Sequence, residues 1–255
     1  MQDSIAESAS KLTQWNAEWR HLIDGETVWR RGTGNPEQLS NGDTRWNTIV
    51  IDITNEKLAV EASLMALRKT VGALAAALEA RDPYTAGHES AVSKISKLIA
   101  ERMGLDQSRV TGIELAATIH DVGKIAIPAE ILSKPGRLSD IEFRIVQEHP
   151  VTGAKLMADV DMEWPIADII LQHHERLDGS GYPAGLKGDE IMLEARIIAV
   201  ADTLEAMASH RPYRAGLGVD AAVAEIKRGA GTLYDPDVVS TCVALVESGE
   251  IQLGE

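Results

Sequence analysis

From residue 81 onward, most segments of the chain show the apolar spacing of an α-helix. One helix is predicted where Val92 and Ile95 share a face, and Gly104 ends it as a C-terminal capping residue. Another begins at Ser139, because Ser139 and Glu142 form the Ser-x-x-Glu pattern of a capping box. A chain with this pattern is expected to fold mainly into packed helices.

Histidines and aspartates fall on the buried faces or at the ends of these predicted helices. They are His88, His120, Asp121, His149, His173, His174 and Asp202. Any one of them alone would be explained as a hydrogen-bonded core residue. Together they are harder to explain in that way, because each buried polar group without a partner costs about 1–3 kcal/mol. A shared metal centre would provide a partner for all of them.

Seven ligands are too many for one tetrahedral zinc ion, but they suit two ions that share a bridging carboxylate. Imidazole and carboxylate donors favour iron or manganese and are also compatible with zinc. The single cysteine, Cys242, cannot form an intramolecular disulfide or a thiolate cage. The sequence therefore predicts two divalent metal ions, iron or manganese, in a reducing compartment.

The charge balance argues against binding to nucleic-acid polymers. The chain has 255 residues, with 25 Lys and Arg against 39 Asp and Glu, which gives a net charge of −14. This is the wrong sign for a protein that wraps a polyphosphate backbone. The first residues lack the pattern of a signal peptide, and no stretch approaches 18 consecutive apolar residues. We therefore expect a cytoplasmic chain that binds no DNA, no RNA and no membrane.

The N-terminal part differs in composition, since it holds four of the five tryptophans and one of the seven histidines. Residues 27–31 and 45–53 have the character of β-strands, and the turn-rich segment 32–43 between them predicts a long hairpin loop. A helix follows over 56–79, where six apolar residues are spaced 4, 3, 4, 3 and 4 apart. This heptad seam favours a coiled-coil homodimer through residues 56–80; the alternative is a helix packed on its own domain.

Several motifs carry a family resemblance. They are RDPYTAGH (81–88), HDVGK (120–124), QEHP (147–150), QHHERLDGSGYP (172–183), RIIAVAD (196–202), RPYR (211–214) and GTLYDP (231–236). In this order, across about residues 80–248, they resemble the HD-GYP family of cyclic di-GMP phosphodiesterases. In addition, WNTIVIDITNEK (46–57) resembles the last strand and the exit of a PAS sensor domain. Only part of such a domain would be present.

The resemblance implies a role for each matching residue. His88, His120, Asp121, His149, His173, His174 and Asp202 would hold the metals, with Asp121 as the bridge. Tyr84 stands where an additional carboxylate ligand would lie, so two metals are expected rather than three, although nearby Asp82 keeps a third open. Lys124 would neutralise phosphate during catalysis; the alternative is a solvated surface lysine. Arg211 and Arg214 would hold the second phosphate, unless they form an ordinary surface pair.

Tyr182, in the Gly181-Tyr182-Pro183 triplet, would contact the substrate from a glycine-rich loop. His210 replaces an acidic residue that usually precedes RPYR, which puts the positioning of Arg211 in doubt. The implied fold is mainly α: a partial PAS-like segment with strands (1–55), a linker helix (56–80) and a helical HD-type phosphohydrolase domain (81–249).

The implied function is hydrolysis of cyclic di-GMP to linear pGpG or GMP by a water that two metals activate. Two alternatives remain open at this stage. One is hydrolysis of another cyclic dinucleotide. The other is a catalytically weak module that binds cyclic dinucleotides in signalling.

Overall fold

The computed structural model of the chain describes residues 2–79, 87–209 and 216–253. The predicted mainly α fold with a small N-terminal sheet is confirmed. The helices are α1 (Gln2–Lys11), α2 (Thr54–Glu79), α3 (His88–Arg102), α4 (Gln107–Thr118), α5 (Ala129–Leu132), α6 (Asp140–Val146), α7 (His149–Met157), α8 (Ile166–Gln172), α9 (Leu193–Ala208), α10 (Val219–Gly229) and α11 (Pro236–Glu247). The strands are β1 (Trp15–Ile23), β2 (Glu26–Gln38) and β3 (Thr44–Asp52).

The chain divides into two compact units, residues 1–67 and 68–255. The division falls inside α2, so this one helix contributes to both units. The helix predicted over 56–79 is thus confirmed as a continuous element. The finer division into a PAS-like segment, a linker and a catalytic domain stays a prediction.

The N-terminal unit is built on an antiparallel sheet with the strand order β1-β2-β3. The long loop predicted over 32–43 is wrong, because β2 continues through Gly32 and Gly34 to Gln38. These glycines are needed in the strand, since a Cβ atom on Gly32 would lie 2.8 Å from the rings of both Trp15 and Trp19. The aromatic rings therefore pack directly on the glycine backbone, which a strand propensity argument does not anticipate.

The C-terminal unit is organised around α9, which packs against α3, α4, α8, α10 and α11. Residues on all sides of α9 are buried, including Ile197, Ile198, Val200 and Leu204. A helix that is apolar all round belongs in a core, and each buried Ile or Leu side chain contributes about 1.5–3 kcal/mol. This central helix places Asp202 inside the unit.

Local capping signals explain several helix ends. The predicted capping box of α6 is confirmed, because the Ser139 hydroxyl accepts from the Glu142 N–H and the Glu142 carboxylate accepts from the Ser139 N–H. The helix that starts at the capping box ends at Val146, and His149 begins the next helix, α7. Pro150 occupies the first turn of this new helix, where proline lacks no needed hydrogen bond. In the described part of the chain, no helix is long and apolar enough to cross a membrane.

Candidate metal centre

The seven predicted ligands converge in the C-terminal unit, although they come from three helices and from the segments that follow two others. The first residue of α3 is His88, and the other positions are His120 and Asp121 after α4, His149 at the start of α7, His173 and His174 after α8, and Asp202 in α9. Their donor atoms form two groups, each within 4.8 Å. The His149 group contains Asp121, His149, His173 and His174, and the His88 group contains His88, His120 and Asp202.

In the His149 group, the imidazole orientations are set by the main chain. The Nδ1–H of His149 donates to the Val146 carbonyl at 2.7 Å, and that of His173 donates to the Ile170 carbonyl at 2.6 Å. These bonds leave the Nε2 lone pairs directed into the group. The Nε2 atom of His149 lies 3.3 Å from Nε2 of His173 and 3.1 Å from Oδ1 of Asp121. Acceptor atoms thus face one another, as they do around a cation.

In the His88 group, carboxylates contact the histidines. The Nε2 atom of His88 lies 3.2 Å from Oδ1 of Asp202, and its Nδ1–H donates to Glu205. His120 directs Nδ1–H to the Ala117 carbonyl at 2.8 Å and lies 2.9 Å from Oε2 of Glu89.

Asp121 lies between the two groups. Its Oδ1 faces the His149 group, while its Oδ2 lies 3.6 Å from Nε2 of His120 and pairs with Lys124. Oδ1 is buried and accepts no hydrogen bond from the described residues. A buried carboxylate oxygen without a donor is costly unless a cation neutralises it. Asp121 therefore has the position that a bridging ligand needs.

The electrostatic environments of the histidines differ. Burial would lower the pKa of His88, but hydrogen bonds to Asp202 and Glu205 outweigh this effect and raise it to about 9. At His120, burial would likewise lower the pKa, but the charges of Glu89 and Asp121 outweigh this effect and raise the pKa to about 10. A cation that binds these two rings at neutral pH must therefore displace their protons.

In the His149 group the shifts have the opposite sign. Burial lowers the pKa of His174 to about 3, and burial together with the neighbouring His174 lowers the pKa of His173 well below its usual value. These rings are neutral at pH 7 and offer lone pairs. For Asp121, burial would raise the pKa, but the charges of Lys124 and His120 hold it well below the usual range.

The donor set fits divalent metal ions. It consists of imidazole nitrogens and ionised carboxylates, it is buried, and several of its Nδ1–H groups are already committed to other acceptors. Fixing the ring orientation through Nδ1 is the usual arrangement behind metal-binding histidines. Donors of this kind hold iron, manganese or zinc.

Two buried carboxylates were missed by the sequence analysis. Glu89 directly follows His88, and Glu205 lies one helical turn after Asp202. Both are almost fully buried beside a histidine. The sequence carries a signal for both residues, since each is an acidic residue within one helical turn of a predicted ligand in an apolar helix. Spacing alone did not show which ring each carboxylate contacts.

The glycine-rich loop closes one side of the His149 group. The ring of Tyr182 packs on His174 with 4.7 Å between centroids, and burial raises the pKa of its hydroxyl. The buried carboxylate of Glu175 accepts hydrogen bonds from the backbone N–H groups of Ala184, Gly185 and Leu186. Glu175, which the sequence analysis also missed, thus anchors the loop that carries Tyr182.

Four residues weighed in the sequence analysis as ligands or substrate contacts lie outside the described residues. They are Asp82, Tyr84, Arg211 and Arg214. His210 lies outside them as well. The roles expected for these residues stay predictions. Lys124, in contrast, is described, and its ammonium group lies at the edge of the site against Asp121.

Sequence comparison relates the chain to cyclic dinucleotide phosphodiesterases. It is 44% identical over 188 residues to the cyclic di-GMP phosphodiesterase response regulator RpfG of Xanthomonas campestris pv. campestris, covering 73% of this chain and 49% of that protein. It is 38% identical over 160 residues to 3'3'-cGAMP-specific phosphodiesterase 3 of Vibrio cholerae, covering 63% of this chain and 35% of that protein. The chain therefore spans about half or less of these relatives.

Structural comparison supports the fold. Bd1817, an HDG"Y"P protein from Bdellovibrio bacteriovorus, matches with a TM-score of 0.57 and 17% identity, over 72% of this chain and 64% of that one. The likeness of residues 1–55 to part of a PAS domain is not confirmed. The HD domain sequence model matches residues 72–238, which include every predicted metal ligand. The chain belongs to the HD domain family.

Proposed function

We propose that the chain is a metal-dependent phosphodiesterase that hydrolyses cyclic di-GMP to linear pGpG or GMP. The observation that carries the proposal is the convergence of five histidines and two aspartates, with Asp121 between the two groups. The names of the relatives, which include cyclic di-GMP phosphodiesterases, support the substrate class.

We infer that the His149 group would hold one divalent ion and the His88 group another, with Asp121 placed to serve as a ligand in both groups. When bound, two such ions supply Lewis-acid stabilisation of the charge that develops on the phosphoryl oxygens. Iron or manganese suits the nitrogen and oxygen donors. The number and identity of the ions are part of the proposal.

The chain's own residues would bind and orient the substrate. Cyclic di-GMP carries two phosphodiester anions, which a chain of net charge −14 repels unless the site is locally positive. Lys124 provides one ammonium group at the edge of the site. Arg211 and Arg214 are proposed to hold the second phosphate through the paired N–H groups of guanidinium.

Tyr182 would offer its ring to the dinucleotide, since it already stacks on His174 at the border of the site. Hydrolysis breaks one P–O bond of the ring, and water supplies the oxygen of the new terminal phosphate. Asp121 would orient the attacking water by accepting a hydrogen bond from it, because the charges of Lys124 and His120 lower the pKa of its carboxylate and keep it ionised. The proton that the water loses balances the proton that the released ribose oxygen takes up.

We further propose that two chains pair through the heptad seam of α2. Two seam positions remain exposed in the single chain, with Val60 at 64% and Leu74 at 56% exposure. Val71, another seam residue, is buried within the chain. The seam is therefore only partly used by intramolecular packing, and a second α2 helix would cover the rest.

The function is tested by turnover assays on the full chain after anaerobic loading with Fe²⁺ or Mn²⁺. Cyclic di-GMP and 3'3'-cGAMP are compared, because one relative is named for the second compound. We expect linear product from cyclic di-GMP, and loss of at least about 100-fold in kcat for Asp121→Asn. Asp168→Asn is the matched control, since Asp168 is exposed on α8.

The assay separates the alternatives. A strong preference for 3'3'-cGAMP would replace the substrate but keep the reaction. Binding of either dinucleotide without product, in a chain that holds its metal, would favour the signalling module. Full activity in Asp121→Asn would contradict the proposed centre.

A further inference from the structure

The two donor groups differ in the residues that contact their histidines from behind. In the His149 group, His149 and His173 donate their Nδ1–H groups to main-chain carbonyls. In the His88 group, both histidines contact a carboxylate through Nδ1. These carboxylates belong to Glu89 and Glu205, which are not among the predicted ligands.

Glu205 contacts His88 from α9, the helix that also carries Asp202. Asp202 and Glu205 both lie on α9, three residues apart, so they occupy the same face. Asp202 lies against Nε2 of His88, and Glu205 accepts the hydrogen bond from Nδ1. The ring is thus held between two carboxylates, with Nε2 directed to the group and Nδ1–H directed away from it.

Glu89 has the equivalent position at His120. It is the second residue of α3, its side chain is 7% exposed, and its Oε2 lies 2.9 Å from Nδ1 of His120. The same Nδ1–H points towards the Ala117 carbonyl at 2.8 Å. This nitrogen therefore carries the proton and cannot bind a metal ion. Glu89 therefore acts on the group through its contact with Nδ1 of His120, and not as a metal ligand.

The charges of the two groups differ as a result. Asp202, Glu89 and Glu205 surround the His88 group, and Asp121 lies beside it. Among the described residues, Asp121 is the carboxylate that belongs to the His149 group, and its charge is paired with Lys124. A divalent cation is attracted more strongly where more buried negative charge lies nearby. The same buried charge that holds a second proton on His88 and His120 attracts a divalent cation, which takes the place of that proton when it binds.

We propose that Glu89 and Glu205 are positioning residues that make the His88 group the tighter of the two metal positions, so that it fills first. The inference deepens the proposed function, because it assumes that the two groups hold metal ions. It adds an order of filling and assigns that order to two carboxylates outside the ligand set.

The test is a calorimetric titration of the metal-stripped full chain with Mn²⁺, in parallel with electron paramagnetic resonance to count free ions. We expect two binding events. His174→Ala should remove the weaker event and His88→Ala the tighter one. Glu89→Gln and Glu205→Gln should each weaken the tighter event by about 10-fold to 100-fold and leave the weaker event unchanged.

Controls separate this role from a structural one. Glu101→Gln removes the same charge from an exposed position of α3 and should change neither event. Gln keeps the size of Glu and one acceptor oxygen, and the unfolding temperature of each metal-free variant reports its fold. A second variant, Glu89→Asp, keeps the charge near His120 and should retain more affinity than Glu89→Gln.

Two results would overturn the inference while leaving the two-ion centre intact. One is an unchanged tighter event in both Gln variants. The other is loss of the tighter event in His174→Ala, which would place it in the His149 group. A single binding event in the unsubstituted chain is a different failure, because it would contradict the two-ion centre on which the proposed function depends.

Discussion

The Nε2 atoms of His149 and His173 lie 3.3 Å apart, although neither ring has its proton there. Each ring has already committed Nδ1–H to a main-chain carbonyl, so two lone pairs face each other in a buried site. Burial and the adjacent His174 also lower the pKa of His173, so this ring does not take up a second proton near pH 7. A cation between the rings would turn this repulsion into binding.

Metal loading should therefore stabilise the chain. At a free Mn²⁺ concentration of about 100 times Kd, one site adds about 2.7 kcal/mol to the free energy of unfolding. This corresponds to an increase of roughly 5–10 °C in the Tm of the C-terminal unit. Differential scanning fluorimetry with and without a chelator measures the shift. His173→Gln should reduce it, whereas Glu101→Gln should preserve it; an equal shift in His173→Gln would argue against this position.

The close approach of Gly123 to α7 should make substitution there damaging. A Cβ atom on Gly123 would lie 1.9 Å from the His149 carbonyl oxygen and 2.6 Å from the Gly153 nitrogen, and both are main-chain atoms. Gly123→Ala must push α7 away from the segment after Asp121. We expect a loss of about 1–3 kcal/mol or more in unfolding free energy, together with weaker metal binding.

Gly72 provides the matched control for this substitution. It lies inside α2, and a Cβ atom added there would meet nothing within 4 Å. Gly72→Ala should stabilise the helix by about 0.5–1 kcal/mol. Urea denaturation followed by circular dichroism measures both variants. Equal stability of Gly123→Ala and the unsubstituted chain would show that the two segments can separate without cost.

The loop that carries Tyr182 should depend on Glu175. Gln at this position would replace one acceptor oxygen by an NH₂ group and oppose a backbone N–H of the segment from Ala184 to Leu186. Losing hydrogen bonds to a charged acceptor costs about 1.5–3 kcal/mol. We expect Glu175→Gln to raise KM for the dinucleotide more than it lowers kcat, and to make the loop more sensitive to limited proteolysis.

The control for Glu175 is Asp189→Asn, which removes a charge from a fully exposed side chain in the same region. It should leave KM and the cleavage pattern unchanged. If Glu175→Gln lowers kcat alone and the loop resists the protease as before, the carboxylate does not act by anchoring the loop.

The helices could be predicted from the sequence, and so could the buried positions of the seven candidate ligand residues, because both depend on local patterns. Apolar spacing at Val92 and Ile95 marked α3, and the capping box marked α6. The histidines and aspartates could be recognised as candidate ligands because they lie at predicted buried positions, where a polar side chain without a partner costs free energy. The contacts of Glu89 and Glu205 were not predictable, since they depend on how α3 packs against α4 and α9.

The N-terminal unit was harder to predict for a different reason. The sequence pattern predicts neither α1 nor β1, and it places Gly32 and Gly34 in a turn-rich loop. Their function in β2 is to leave room for tryptophan rings from neighbouring strands. A glycine that a turn requires and a glycine that a close aromatic contact requires have the same local sequence signal, so only the sheet register distinguishes them.

Stability should decrease at high pH through Cys242. Burial raises the pKa of this thiol from 9.0 to about 12. The unfolded chain therefore loses the thiol proton first, and the stabilising contribution is complete below pH 9 and declines as the pH rises towards 12. At pH 10 the loss is about 1 kcal/mol. Urea denaturation at pH 8 and pH 10 measures it. Cys242→Ala should show a smaller difference between the two values, and an equal difference would refute the assignment.

Pairing through α2 should depend on the exposed seam residues rather than on the exposed surface in general. Val60 is 64% exposed in the single chain, yet it belongs to the heptad seam that continues through Leu67 and Leu74. A charged side chain in the middle of a coiled-coil interface is desolvated without a partner, which costs several kcal/mol. We expect Leu74→Glu, at a seam position that is 56% exposed in the single chain, to convert a dimer into a monomer in sedimentation equilibrium or light scattering. Ala62→Glu, on an exposed position outside the seam, should leave the dimer intact. If the unsubstituted chain is monomeric at about 100 μM, its association free energy is weaker than about 5.5 kcal/mol, and the proposed pairing is contradicted.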